Sequence, residues 1–249
     1  MTTVLMLMAG SSAAFREVGH AYPKSLIEIA GAPLVERALR PCRALERLGA
    51  RFIFVVRGEE NRRFHLGMVL RLLVSDAVVV ESAGETAGAA CTALLAVDRL
   101  DPDQPLLVVN GDQIIDYDMA AVVDDFEARG LDGGVLTFEA VHPRWSYVKC
   151  DDDGLVVEAA EKRPISRLAT AGFYWFARSR DFVAAAQRMI FKDAHVAGSF
   201  FVCPAYNEMI LARKRVGIHR MPPDCYHSLA TPAAVQRYEE WLAAEGSRK

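Results

Sequence analysis

The sequence has no excess of positive charge, no CxxC pair, no long apolar run and no low-complexity tract, and each absence removes a class of function. Lysine and arginine together number 29 against 32 aspartates and glutamates, a formal net charge of −3. The basic field that drives non-specific binding to nucleic acid is therefore missing, and a phosphate ligand would have to be met by individually placed cations and backbone amides. Five cysteines, Cys42, Cys91, Cys150, Cys203 and Cys225, are odd in number and scattered. They argue against a disulfide framework and a structural zinc site, and fit reduced thiols in a cytoplasmic protein. No apolar stretch approaches the roughly 20 residues of a membrane helix. The opening TTVLMLMAG lacks a basic n-region and reads as a buried strand, not a signal peptide. HExxH, GxSxG, Walker and GxGxxG patterns are all missing. The six histidines are dispersed without paired spacing.

What is present is an ordinary globular composition, 52% hydrophobic and 24% charged over 249 residues, enough for one large domain spanning 1–249. Continuous apolar runs at 3–8, 52–56, 77–80, 106–109 and 135–138 predict strands covered on both faces. Between them, helical spacing predicts helices over 33–48, 59–73, 86–97 and 119–129, with Pro41 expected to kink or split the first. Gly49 and Gly130 suit helix ends. Strand alternating with helix implies an α/β protein with a mostly parallel, doubly wound sheet flanked by helices, whose ligands gather at the carboxyl ends of the strands. The second half changes texture. A hairpin is predicted from 146–150, the turn DDDG and 155–160; a further β-rich run covers 170–176, and helices follow at 180–190, 203–213 and 232–244, the last capped by Thr231. This half reads as a β-rich addition on the substrate side of the first half's sheet.

Three loops fall at strand ends: LMAGSSAAF, GETAGAA and NGDQ. The first, with the segment PKSLIEIAGAPLVERAL at 23–39, resembles the N-terminal pattern of the nucleotidyltransferases that join a nucleoside triphosphate to a sugar phosphate or similar phosphate. That pattern is roughly L-A-A-G-x-G-x-R-[FL], a gap, then P-K-x-L-x-x-I-x-G-x-P-[LM]-[IV]-x-x-x-[LI]. Leu7, Ala9, Gly10, Phe15, Pro23, Lys24, Leu26, Ile29, Gly31, Pro33, Leu34, Val35 and Leu39 match it in order and spacing. GETAGAACTALLA is similar to the family's base-contacting loop and helix, and VVNGDQIIDYD to its metal loop, with Asp112 at the metal-binding position. Segments after residue 142 look most like a subgroup from capsule and surface-polysaccharide pathways that includes cytidylyltransferases.

The resemblance implies a glycosyltransferase-A-like variant of the Rossmann sheet, with 1–140 as the nucleotide half and 141–249 as the acceptor half. It implies transfer of a nucleotidyl group from a triphosphate, CTP being favoured, to a phosphorylated small molecule, with Mg2+ as cofactor and with neither nucleic acid nor membrane as partner; homo-oligomerisation stays open. Lys24, Asp112 and Lys162 are the implied catalytic residues, with Asp112 also the metal ligand. Met8, Ala9, Gly10, Ser11, Ser12, Lys24, Gly84, Thr86, Gly88, Ala89, Asn110 and Gly111 would contact the nucleotide, and Glu161, Lys162, Asn207 and Glu208 the acceptor. Taken by themselves, PK, NGDQ and EK could equally be a solvated lysine, a strand-end turn and a surface ion pair. FYWF at 173–176 reads as a packed strand.

The chain departs from the family at named positions. Ser12 replaces the second loop glycine and Ala14 the loop arginine, with Arg16 as a partial substitute; Ser228 stands where the family has a second metal-binding aspartate, before Ala230-Thr231 in place of a Gly-Thr pair, and Ser199 replaces a glutamate. Three functions remain open on these residues: an active nucleotidyltransferase, a nucleotide-binding relative acting as a regulatory partner, and a glycosyltransferase on the same fold.

Overall fold

The computed structural model describes residues 1–246. The first half runs β1 (Thr3–Leu7), α1 (Ala13–Glu17), β2 (Glu28–Ile29), β3 (Ala32–Pro33), α2 (Leu34–Leu39), α3 (Arg43–Arg47), β4 (Arg51–Arg57), α4 (Gly58–Phe64), α5 (Leu66–Leu73), β5 (Val78–Ser82), α6 (Ala89–Leu94), β6 (Leu106–Asn110), β7 (Gln113–Ile115), α7 (Met119–Ala128) and β8 (Gly133–Glu139). Then follow β9 (Ser146–Cys150), β10 (Val156–Glu161), β11 (Leu168–Phe176), α8 (Ser179–Phe191), α9 (Ala205–Leu211), β12 (Val216–Arg220), β13 (Tyr226–Ser228) and α10 (Pro232–Gly246).

Nine strands form one mixed sheet in the order β10-β9-β11-β6-β1-β4-β5, with β8 beside β11 and β12 beyond β8. The pairs β1·β4, β1·β6, β4·β5 and β8·β12 are parallel, and those made by β11 antiparallel. The apolar strand runs are continuous because each face has its own core. Val4, Met6, Phe52, Phe54, Val56, Leu107 and Val109 point to one side; Leu5, Ile53, Val55, Leu106 and Val108 point to the other, as the period of two requires. FYWF is a packed strand, with Phe173, Tyr174, Trp175 and Phe176 all buried within β11.

Pro41 splits the first predicted helix into α2 and α3 around a 3-10 turn at Arg40–Cys42. The helix expected over 59–73 is two, because His65 adopts a left-handed conformation (φ 51°) and the Asn61 side chain takes the Gly67 amide at 2.6 Å. The helix expected over 86–97 is trimmed to α6. Thr86 and Gly88 instead form a turn in which both the Thr86 and Thr92 hydroxyls donate to the Gly88 carbonyl. Thr231 caps α10 through its hydroxyl, which accepts from the Ala234 amide at 3.3 Å. The strands β2, β3, β7 and β13, of two or three residues each, are too short to show a period of their own.

A bulge in β11 gives the site its floor. Register slips between Thr170 and Tyr174, and inside the slip Gly172 takes φ +60°; a Cβ there would lie 2.4 Å from the Asn110 amide nitrogen and 2.5 Å from Gln113 Oε1. The Gly172 carbonyl accepts from Gln113 Nε2 at 2.9 Å. Gly172→Ala is expected to destabilise the fold by about 2 kcal/mol or more, from left-handed strain and overpacking together, measured as the shift of the urea midpoint at unchanged slope.

Candidate active site

The carboxyl ends of β1 and β6 lie side by side, with Leu7 paired to Asn110. The two loops that leave them therefore face each other. Lys24 enters from a 3-10 turn, Lys24–Leu26, which Pro23 starts at φ −63°. Its ammonium reaches Asp112 Oδ2 at 2.7 Å, with the two side chains only 12% and 26% exposed. The crossing runs close over Gly10, where a Cβ would lie 2.8 Å from Lys24 Nζ and the lysine would have to shift. Ser12 holds the crossing segment in place: its buried hydroxyl accepts from the Lys24 amide at 3.1 Å. Ser12 itself sits at φ −98°, so the backbone here does not need the family's glycine.

Two cavities meet at this pair. The first, about 410 Å³, is walled by Ala9, Gly10, Ser11, Lys24, Thr86, Gly88, Ala89, Asn110 and Asp112 from the predicted set, and by Arg57, Glu85 and Phe201, which sequence reasoning missed. Arg57 clamps two loops together: Nε donates to the Ala9 carbonyl at 2.9 Å and Nη2 pairs with Glu85 at 2.7 Å. A charged residue closing the apolar run FIFVVR was the available signal. Met8, Ser12, Gly84 and Gly111, also predicted to contact the nucleotide, do not line this cavity. Met8 is buried, Gly111 packs on it so closely that a Cβ would come within 2.6 Å, and the Gly84 carbonyl accepts the Ser82 hydroxyl. Gly88 is fixed by a close approach; at φ +117° a Cβ would collide with the Phe200 backbone at 2.4 Å.

The second cavity, about 310 Å³, shares Ala89, Asn110, Asp112 and Phe201 with the first. Glu161, Ser146, Thr170 and Tyr174 line it, with Lys162, Arg144, Trp145, Tyr226 and Ser228. Glu161 ends β10 at 9% exposure and accepts from the Ser146 hydroxyl. Burial raises its carboxyl above the usual range, against the pull of that hydroxyl and of the Lys162 charge. Lys162 takes φ +53°, which turns its ammonium over the Phe201 ring at 5.2 Å. β13 lies against β7, with Ser228 opposite Gln113, so Ser228 stands close to Asp112, whose carbonyl takes the Leu229 amide at 2.8 Å.

Asn207 and Glu208 do not join this group. The Asn207 amide makes a paired contact with the Ala159 backbone, both bonds 2.8 Å, locking α9 to β10, and Glu208 pairs with Lys192 at 2.8 Å. Ala14 is exposed on α1, and Arg16 faces a separate hollow of about 240 Å³ beside Glu60 and Arg63. Asp118 caps α7, accepting from the Ala120 and Ala121 amides. Among the described residues no cluster of three acidic, histidine or cysteine side chains suits a metal, and no helix is long and apolar enough to cross a membrane.

Two outcomes follow from this geometry. Ser12→Gly, although it restores the family's residue, leaves the Lys24 amide without its partner and is expected to cost about 1 kcal/mol or more in chemical denaturation. Glu161 has its folded pKa above the unfolded one, so its favourable contribution is complete below the unfolded value and is lost as pH rises through the folded value. Glu161→Gln is therefore expected to raise the melting temperature at neutral pH, the difference from wild type closing as pH falls below the ordinary carboxylate range.

Comparison with known proteins agrees with this architecture. A family model for nucleotidyl transferases matches residues 3–194. The low-salt glycan biosynthesis nucleotidyltransferase Agl11 of Haloferax volcanii is 28% identical over 178 residues, which are 69% of this chain and 48% of Agl11; the chain thus spans about half the length of that relative. In fold, the chain resembles the nucleoside-diphosphate-sugar pyrophosphorylase of Vibrio cholerae RC9, with a TM-score of 0.84 at 24% identity over 96% of this chain and 100% of that one. It also resembles a Bacillus anthracis protein described as a glucose-1-phosphate thymidylyltransferase and solved with sucrose, with a TM-score of 0.74 at 19% identity over 97% and 95% of the two chains. With its signature loops matched in sequence and gathered at one sheet edge, the chain belongs to the nucleotidyl transferase family.

Proposed function

We propose that this protein transfers a nucleotidyl group from a nucleoside triphosphate to a phosphorylated small molecule, releasing pyrophosphate, in the synthesis of a surface glycan or a related precursor. The observation that carries the reading is the Lys24–Asp112 pair at the junction of two cavities. One cavity is bounded by backbone of the opening loop and suits a nucleotide; the other has a polar floor and suits the acceptor. Membership in the family and the glycan pathway in the name of Agl11 support the substrate class. The subgroup resemblance makes CTP the first triphosphate to try. Use of a soluble triphosphate fits a cytoplasmic setting.

In the reaction an oxygen of the acceptor phosphate attacks the α-phosphorus in line. The new O–P bond forms as the bond to the β-phosphate oxygen breaks, and pyrophosphate leaves with that electron pair. A phosphate oxygen needs no deprotonation at neutral pH beyond its own ionisation, so this chain's task is placement and charge neutralisation. Amides of the 10–12 loop and the Lys24 ammonium hold the triphosphate, and Lys162 holds the acceptor phosphate. Magnesium retains several waters and is held by one or two carboxylates plus substrate phosphates. The single, partly exposed Asp112 carboxylate suits that donor set, and a bound ion would supply charge neutralisation there. Lys24 and Asp112 neutralise each other in the free protein. A triphosphate entering the first cavity exchanges that contact for its own oxygens on Lys24.

A second reading, a nucleotide-binding regulatory partner without turnover, is favoured by one observation: Ala14 is exposed, and no arginine of α1 lines the first cavity. The deciding assay is pyrophosphate release with each triphosphate, magnesium, and a panel of sugar, polyol and amino-acid phosphates. Turnover is expected for at least one pair, falling about 100-fold or more in Asp112→Asn and in Lys24→Ala. Triphosphate binding without turnover across the panel would replace this reading with the second, and sugar transfer from a nucleotide sugar would point to a glycosyltransferase.

A further inference from the structure

The two cations of the second cavity are held in an unusual way. Arg144 lies with its guanidinium over the Trp145 ring, 4.3 Å from the centroid, and Lys162 lies over the Phe201 ring. Neither forms an ion pair with a carboxylate among the described residues, whereas nearby Arg163 pairs with Glu158 and Arg167 with Glu139. A carboxylate partner would orient a cation and also cancel its charge. An aromatic face orients it and leaves the charge intact.

The seats themselves are rigid. Trp145 packs edge-on against both Phe138 and Tyr226, with centroids 5.6 and 5.3 Å away, and those two rings stack on each other at 4.7 Å. The Trp145 carbonyl accepts from the Lys162 amide at 3.0 Å, so the two cations leave from paired positions at the end of the β9–β10 hairpin. The Arg144 charge also reaches Tyr226: burial pushes the Tyr226 hydroxyl up and the Asp112 carboxylate pushes it the same way, while the Arg144 guanidinium opposes both.

We infer that Arg144 and Lys162 form a two-cation clamp for the acceptor's phosphate, seated on Trp145 and Phe201, and that the clamp selects phosphate monoesters over phosphodiesters. The inference rests on the acceptor reading of the second cavity. A monoester above its second ionisation, near pH 6, carries two negative charges for the two uncompensated cations, and its three terminal oxygens can receive both the paired donors of a guanidinium and an ammonium. A diester offers one charge and leaves one cation without a partner. Trp145 and Phe201 are positioning residues.

The test is binding, kept separate from turnover. In a Lys24→Ala background, which removes the other ammonium at the junction, inorganic phosphate, glucose 1-phosphate and dimethyl phosphate are titrated at pH 8 and followed by phosphorus NMR. Glucose 1-phosphate and inorganic phosphate are expected to bind roughly tenfold or more tightly than dimethyl phosphate. Adding Arg144→Gln should remove most of that preference and weaken glucose 1-phosphate roughly tenfold, and Arg144→Lys should restore part of it. Triphosphate affinity, measured in otherwise wild-type protein carrying Arg144→Gln, should stay unchanged because Arg144 lies outside the first cavity. The Arg144 side chain is exposed, and an unchanged melting temperature in both variants shows that folding is intact. Equal weakening of all three probes, no effect of Arg144→Gln, or no phosphate binding before Arg144 is changed would each overturn the clamp. Intact phosphate selectivity in a protein that releases no pyrophosphate would leave the clamp standing and remove the proposed reaction.

Discussion

The site depends on one ammonium that joins two loops at adjacent strand ends. Lys24 passes over Gly10, close to where a side chain would stand, to reach Asp112 at 2.7 Å. Its backbone is set by Pro23 on one side and by the Ser12 hydroxyl on the other. The partner carboxylate leaves β6, and the glycine leaves β1, adjacent parallel strands whose register is fixed by two separate cores. A charge pair this close and this sheltered is weakly screened, so it ties the opening loop to the loop that follows β6. The departure at residue 12 has become part of this arrangement, since a glycine there could not hold the Lys24 amide.

The strands of the parallel core, the split at Pro41, the hairpin around DDDG and the final helix were legible in the sequence because each is declared locally, by an apolar run, a ring or a turn motif. Lys24 and Asp112, 88 residues apart, were legible only as a spaced pattern, and the structure brings them together. What could not be read was set by distant partners. Arg57 looked like the polar end of a strand until β1 placed the Ala9 carbonyl beside it. Asn207 and Glu208 are ordinary helix residues whose side chains are claimed by the edge strand β10 and by Lys192. The strands β7 and β13 are three residues each, too short for a period to appear, yet their pairing carries Ser228 and Tyr226 to the loop that holds Asp112.

The second cavity joins opposed electrostatic demands within a few residues. Glu161 is driven toward its neutral form by burial, while the next residue keeps a full positive charge on an aromatic face. A hydroxylated group below and a phosphate above would satisfy both, and the strand end that carries the pair sets them at different depths. The left-handed backbone at Lys162 makes this separation possible, because a continued strand would have sent the lysine to the opposite face of the sheet.

The loop that carries Phe201 does not belong to the second cavity alone. Phe200 donates to the Ala87 carbonyl at 2.7 Å and accepts from the Ala90 amide at 2.9 Å, and Gly88 lets the two backbones lie nearly in contact. A ligand that ordered residues 84–88 would therefore also order the seat of Lys162, and would lower the ordering entropy left for a second ligand to supply. Thermodynamic reciprocity makes the effect equal in the other direction. The two cavities thus share one backbone seam, made of two main-chain hydrogen bonds whose donors only a proline at residue 90 or 200 would remove.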